Sequence, residues 1–347
     1  EIPLRLVGSE MCIRDRWIID VYPLVLAGLL VTMGTLGDRF GRRRMLLIGA
    51  SGFAAVSALA AFAPTAGLLI AARALLGLFG AMLMPSTLSL LRSIFQNRDQ
   101  RRLAIAVWAS AFSAGSALGP IVGGFLLEHF DWGSVFLIAV PVLIPLLIAA
   151  PLLVPESRDP NPGRIDIVSI VLSMAAMIPV VYAIKSLAVD GPSLTAGAWA
   201  LLGVAMGYLF VRRQLTAEVP MLDMGLFRRG SFSGAILVNL LSVVALVGFL
   251  YFVSQHLQLV LGLSPMMAGA ALVPGMLAMI VAGLSVVPIS RRVPPHILVP
   301  VGLVFSVAGY LLVAFTTSDH GIAPLVIAFV VLGIGTVSYT HLRAHET

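Results

Sequence analysis

The chain reads as an all-α integral membrane protein with about eleven transmembrane helices, and three observations predict it. Of its 347 residues, 59% are hydrophobic and 11% charged, with a mean hydropathy of +1.02. A soluble domain carries about 25% charged residues, so this chain lacks the polar surface that water requires. Apolar runs of roughly 18 to 25 residues recur, each able to cross a hydrocarbon core of about 30 Å as a helix, without the alternation of barrel strands. Basic residues, finally, collect in every second loop. The single cysteine, Cys12, leaves no disulfide to argue from. A net charge of +6 and a pI near 10.1 could suggest nucleic acid, but arginines in short loops between spans are explained by topology instead.

Residues 1–16 ("EIPLRLVGSEMCIRDR") and 337–347 ("VSYTHLRAHET") break the apolar pattern abruptly. Both resemble translated sequencing-adapter read-through and are set aside as non-native tails; a native polar tail at each end is the alternative. The expectation is then an internal fragment of a longer protein. From Trp17 the spans run 17–37, 45–63, 67–91, 103–127, 134–154, 166–187, 195–211, 232–254, 265–289, 297–316 and 321–336. Polar loops such as "PTAG" (64–67) and "PESRDPNPGR" (155–164) separate them.

Loop charge sets the expected orientation. One set of loops holds Arg39, Arg42, Arg43 and Arg44; Arg92, Arg98, Arg101 and Arg102; Arg158 and Arg164; Arg212, Arg213, Arg228 and Arg229; Arg291 and Arg292. The alternate set has no Lys or Arg, and the sole lysine, Lys185, lies near the edge of one of them. By the positive-inside rule the arginine loops are cytoplasmic. The span at Trp17 then enters from outside, and one preceding helix is expected.

The first arginine loop, "GTLGDRFGRRR" (34–44), combines an acid with four arginines and brackets them with Gly34, Gly37 and Gly41. Glycines let two helices and a partner approach closely. Asp38 falls just ahead of the next expected helix, where the dipole favours an anion, and Arg42 is within local reach of it. Anchoring alone would require only the arginines. "GTLGDRFGRRRML" resembles the signature loop of the major facilitator superfamily. That resemblance implies a charge cluster of Gly34, Gly37, Asp38, Arg39, Gly41, Arg42 and Arg43 that closes the cytoplasmic side and breaks as the transporter turns inward.

Arg73, in "LLIAARALLGLFGA", lies inside a span, where an unpaired arginine costs several kcal/mol and marks a functional candidate. It is about six residues, or roughly 9 Å, from the outer loop, so snorkelling outward is the other reading. Leu69, Arg73, Gly77 and Gly80 are similar to the superfamily's fourth-helix motif, whose arginine is linked to proton coupling. In "GSALGPIVGG" (115–124), Gly115, Gly119 and Gly123 share one helical face, Gly124 follows, and Pro120 removes a hydrogen bond and bends the helix. Packing of any two membrane helices would also use such residues. The run resembles the superfamily's antiporter motif, typical of export. Trp108 and Phe112 fall on roughly the same stripe and form either a cation-tolerant aromatic wall or ordinary lipid and core packing.

Asp20, in "WIIDVYPLVLAG", is the one acid clearly inside a span. Its expected role is cation attraction or proton exchange near the outer vestibule; solvation at the interface, three residues from Trp17, is the alternative. His129, His256, His296 and His320 lie at span ends or in loops and form no relay or metal cluster. With no Gly-rich P-loop, ATP is not the expected energy source, and no cofactor or metal is expected.

These motifs, extended by "HFDWGSVFLIAVPV" (129–142) and "SQHLQLVLGLSPMMAG" (254–269), resemble the fourteen-helix drug:proton antiporter branch, near quaternary-ammonium and methyl-viologen exporters. The resemblance implies an N-terminal bundle over 17–155 without its first helix, a two-helix insert with flanking cytoplasmic loops over 156–230, and a partial C-terminal bundle over 231–336. The family's first-helix acidic motif is absent, Ala139 stands where members often carry Asn, and the late acidic residues are missing. The expected function is proton-coupled efflux of lipophilic, cationic drugs across a bacterial inner membrane by a monomer, with no nucleic-acid partner. Alternatives are an uptake symporter of the same fold or an inactive fragment. A membrane enzyme would need clustered Asp, Glu or His at one interface, which the sequence lacks.

Overall fold

The computed structural model describes residues 9–159, 166–217, 220, 222–289, 293–316 and 321–340. Arg164, Arg291, Arg292 and His320 lie outside the described residues, as do the side chains of Arg102, Phe112, Pro120 and His296. The helices are α1 (Ser9–Phe40), α2 (Arg42–Ala61), α3 (Ala66–Ile94), α4 (Arg98–His129), α5 (Ser134–Leu137), α6 (Ala139–Leu153), α7 (Ile167–Asp190), α8 (Leu194–Thr216), α9 (Gly230–Gln255), α10 (Pro265–Ile289), α11 (Pro295–Ala314) and α12 (Ala323–Thr340). A 3-10 turn (Met224–Arg228) precedes α9 and a π-helical turn (His256–Val260) follows it. Among the described residues no strand occurs, and nine helical stretches are long and apolar enough to cross a membrane. α5 and α6 together form one of them. The other two expected spans are α4, a helix of 32 residues, and α12, whose apolar part Ala323–Gly335 is shorter. Helix α1 starts inside the N-terminal stretch set aside above.

Local chemistry fixes several ends. Asp166 and Ser193 cap α7 and α8 by accepting the backbone N–H groups of Ser169 and Ala196. Proline opens α10 and α11, where its missing N–H costs nothing. One expected boundary differs: the turn foreseen around Asp38 shrinks to Gly41 alone. The Asp38–Arg42 pair spans that break and ties the last turn of α1 to the first residue of α2. Asp38 therefore belongs to the last turn of α1 and does not lead into α2.

The helices gather into two units. The first comprises residues 1–94 and 136–228. Here α1 packs on α3, α3 on α2, α2 on α6, α7 on α8, and α7 also touches α1. Buried Met33, Met45 and Ala81 knit α1, α2 and α3, while Leu46, Leu90 and Ala150 join α2, α3 and α6. Close approach depends on small residues: a β-carbon on Gly77 would lie 2.7 Å from the Tyr22 carbonyl oxygen, and one on Gly203 would lie 2.5 Å from Val180.

The second unit comprises 95–135 and 229–347. Phe249, Val253, Leu257, Leu272, Met276, Phe329 and Leu332 form its core. α12 packs on both α10 and α11, and α4, which the sequence reading groups with residues 17–155, packs on α10. In both units large apolar side chains such as Leu153, Leu201, Val244 and Phe252 are bare on the outer helix faces. A bilayer covers such residues without cost, whereas water would not.

Candidate functional site

The arginine-rich corner is a latch between the α1–α2 junction and the segment after α6. Arg42 donates from Nε to Asp38 Oδ1 at 2.9 Å and from Nη2 to the same oxygen at 2.8 Å. Its Nη1 reaches Ser157 Oγ at 3.1 Å, and its backbone N–H donates to the Ser157 carbonyl at 2.9 Å. Asp159 N donates to the Asp38 carbonyl at 2.9 Å. The acid at the N-terminus of α2 is Glu156: its Oε1 accepts from Arg43 N at 3.0 Å and from Ser157 N at 3.1 Å. Its buried Oε2 has no hydrogen bond among the described residues and sits 4.0 Å from Arg43 Nε and 3.9 Å from Arg44 Nε. Arg43 Nη1 in turn donates to the Val154 carbonyl at 3.0 Å. Gly41 makes this fit possible, with φ of 117° and no room for a β-carbon, which would lie 2.7 Å from the Glu156 carboxylate. Gly34 and Gly37 face Pro85 and Ser86 of α3, and Arg39 is exposed. Six side chains, those of Asp38, Arg42, Arg43, Arg44, Glu156 and Ser157, thus converge on one corner, and Glu156 and Ser157 are the members that sequence reading missed.

At the opposite end of the same unit two further cations meet α1. Arg73 of α3 donates from Nε to the Ile18 carbonyl at 2.9 Å. Its guanidinium lies 5.1 Å from the Tyr22 ring centroid and 5.9 Å from that of Phe136. The half-buried guanidinium thus lies within cation–π distance of two rings and is tied to the backbone near the start of the Trp17–Phe40 span. Asp20 is paired with Lys185 of α7.

In the second unit, the expected Gly face of α4 and its actual contact differ. A β-carbon at Gly115, Gly119 or Gly123 would meet no described atom within 4 Å, whereas one at Gly124 would come within 2.7 to 2.8 Å of the Pro265–Met266 backbone. One turn on, Glu128 Oε1 accepts from Met266 N at 3.3 Å. The close seam therefore uses the last glycine of the motif, one residue off the predicted stripe. Trp108 is half-buried on α4.

The family description "Major Facilitator Superfamily" matches residues 16–342. The chain belongs to that superfamily. Among its relatives, the multidrug efflux pump LfrA of Mycolicibacterium smegmatis is 60% identical over 92% of this chain and 63% of its own length. The methyl viologen resistance protein SmvA of Salmonella typhimurium is 39% identical over 78% of this chain and 54% of its own. The tetracenomycin C resistance and export protein of Streptomyces glaucescens is 35% identical over 92% and 60%. The chain thus spans between 54% and 63% of the length of these relatives. A crystal structure of a peptide transporter POT with sulfate superposes with a TM-score of 0.59 at 16% identity, covering 94% of this chain and 71% of that one, which is a likeness of fold.

This superfamily member carries one more polar centre, which sequence reading did not single out. Asp166 caps α7 and accepts from Arg213 of α8 in fork geometry, Nε to Oδ2 at 3.0 Å and Nη2 to Oδ1 at 2.9 Å. The fully buried Ser169 donates to Asp166 Oδ2 at 2.6 Å and accepts from Gln214 Nε2 at 2.6 Å. Gln214 Oε1 then takes Leu222 N at 3.1 Å. The Arg213 hydrogen bonds hold the Asp166 carboxyl well below the usual carboxylate range, against the opposing pull of burial and with help from Ser169. Four side chains thereby fasten one end of the α7–α8 hairpin.

Proposed function

We propose that this protein is a proton-coupled multidrug efflux antiporter that exports lipophilic, cationic compounds by alternating access. It works as a monomer in a bacterial cell membrane, with the arginine-rich loops toward the cytoplasm as the positive-inside bias indicates. The bundles and insert are those over 17–155, 156–230 and 231–336. The observation that carries the reading is Asp20, a carboxylate inside a span whose charge is balanced by a lysine on another helix. Such a group can exchange that balance for a proton or a cationic drug, since a charge in lipid tolerates replacement of its partner but not its loss. The drug-export and resistance names of the relatives support the cargo class. The Asp38–Arg42–Glu156 corner supplies a closure whose ionic contacts must open for cytoplasmic access, and Arg73, Trp108 and the glycine helix α4 complete the machinery of coupling and cation recognition.

The experiment is substrate-driven proton movement in everted membrane vesicles with an acid lumen. Adding tetraphenylphosphonium should raise the luminal pH, and Asp20→Asn should remove that response while the protein still inserts. Proton and cation moving in the same direction would instead mark an uptake symporter, and the absence of linked proton movement would overturn coupling.

A further inference from the structure

Helix α1 meets the two cations at its outer end on opposite sides. Ile18 and Tyr22, one turn apart, face Arg73 of α3. Asp20 lies two residues from each, about 200° around the helix, and there it meets Lys185 of α7. Among the described residues the carboxylate thus has Lys185 of α7 on its own side, and Arg73 and Tyr22 lie on the far side of α1. The arginines of α2 stand at its other end. The pair is neither sealed nor fully wet: the Asp20 side chain is 21% exposed and that of Lys185 39%. Lys185 is also the only lysine of the chain.

An ammonium is a compact, strongly hydrated charge on a flexible stem. Three residues from the end of the Ile167–Ala188 span, it can swing to water at little cost. The carboxylate cannot follow, because it is fixed on α1 four residues into the Trp17–Phe40 span. A bulky organic cation, by contrast, sheds its water readily and gains from leaving it. Exchange of one positive charge for another leaves no uncompensated ion in the low-dielectric region, and so does protonation of the acid. Three occupants of Asp20 are thus mutually exclusive: Lys185, a cation, or a proton.

Resting on the reading of cationic cargo given above, we propose that Lys185 is an internal counter-cation that competes with the organic cation for Asp20, so that loading Asp20 releases the outer end of α7 from α1. The insert helices then report whether the site is loaded. A neutral lipophile offers Asp20 no charge and leaves Lys185 in place, which makes this lysine a discriminator of charge as well as a tether.

Because the chain has one lysine, amine acylation reads its state directly, with peptide mass spectrometry separating Lys185 from the N-terminal amine. On the full chain in nanodiscs at one fixed pH, Asp20→Asn should label about fivefold faster than wild type, the ratio a pair of this exposure supports. Tetraphenylphosphonium should accelerate wild-type labelling saturably and leave Asp20→Asn unchanged, and neutral triphenylphosphine oxide should do nothing. Lys185→Gln, freed of the competitor, should bind tetraphenylphosphonium about fivefold more tightly by the same arithmetic, and Lys185→Arg should bind it as wild type does. Equal labelling of wild type and Asp20→Asn would overturn the proposal, as would weaker or unchanged cation binding by Lys185→Gln. Binding of tetraphenylphosphonium that leaves Lys185 as slow as before would overturn the competition alone. No binding at all would overturn the cation reading beneath it, and the competition with it.

Discussion

At Gly41 the backbone takes φ of 117° and ψ of 127°, a region closed to residues with a β-carbon. The Glu156 carboxylate fills the space that such a carbon would need. Gly41→Ala thus faces two separate penalties, and Gly41→Ala with Glu156→Ala removes only the clash. The single variant should lose about 1–3 kcal/mol of stability, and the double should recover part of it, as thermal unfolding in detergent would record. Asp38→Asn keeps the shape of the corner and removes its charge. It should slow efflux about tenfold or more while insertion stays normal; unchanged efflux would count against gating. Much of this corner was legible in the sequence, since Asp38 and Arg42 are only four residues apart and the glycine between them marks the break that the pair spans. Glu156 was not legible: it comes from 113 residues away, and no local pattern marks it as the acid that meets α2. Lys185 stayed hidden for the same reason, reading as a loop-edge cation until α7 was packed on α1.

Helices raise a different question, which is how each is fastened to the next. In the α7–α8 hairpin the cap and the ion pair share one carboxylate. Asp166→Ala should cost about 1 kcal/mol through the lost cap alone, with the partly exposed Arg213 pair adding little beyond that. The sign of the pH effect follows from a depressed carboxyl. Its stabilisation is complete above the unfolded value near 3.9 and fades only as pH falls toward the lower folded one. The stability gap between wild type and Asp166→Asn should therefore be flat from pH 5 to 8 and narrow below about 4, in thermal melts across that range. For α4, Gly124→Leu should separate the helix from the start of α10, whereas a β-carbon at Gly119 meets no described atom within 4 Å and Gly119→Leu should be milder. Cysteine cross-linking between α4 and α10 would tell them apart. The i,i+4 spacing of Gly115, Gly119 and Gly123 identified a smooth face, but a smooth face does not say which neighbour arrives, or at what height.

At the scale of the whole chain, apolar length and loop charge were enough to foresee each long helix among the described residues, because a bilayer leaves backbone amides few other choices. The same reasoning gives a topology: tags at the Arg43 corner and at the Gly191 turn should be modified from opposite sides of the membrane. Labelling from one side only would undo the proposed orientation. The length of α4 carries a further consequence. Between Leu103 and Leu127 it is free of charge, a stretch of about 37 Å at 1.5 Å per residue against a hydrocarbon slab of about 30 Å. Such a rod must lean, or the lipid around it must stretch. Membrane thickness is then a mechanical input to the helix that carries the glycine seam, so lipids of different chain length should tune this protein.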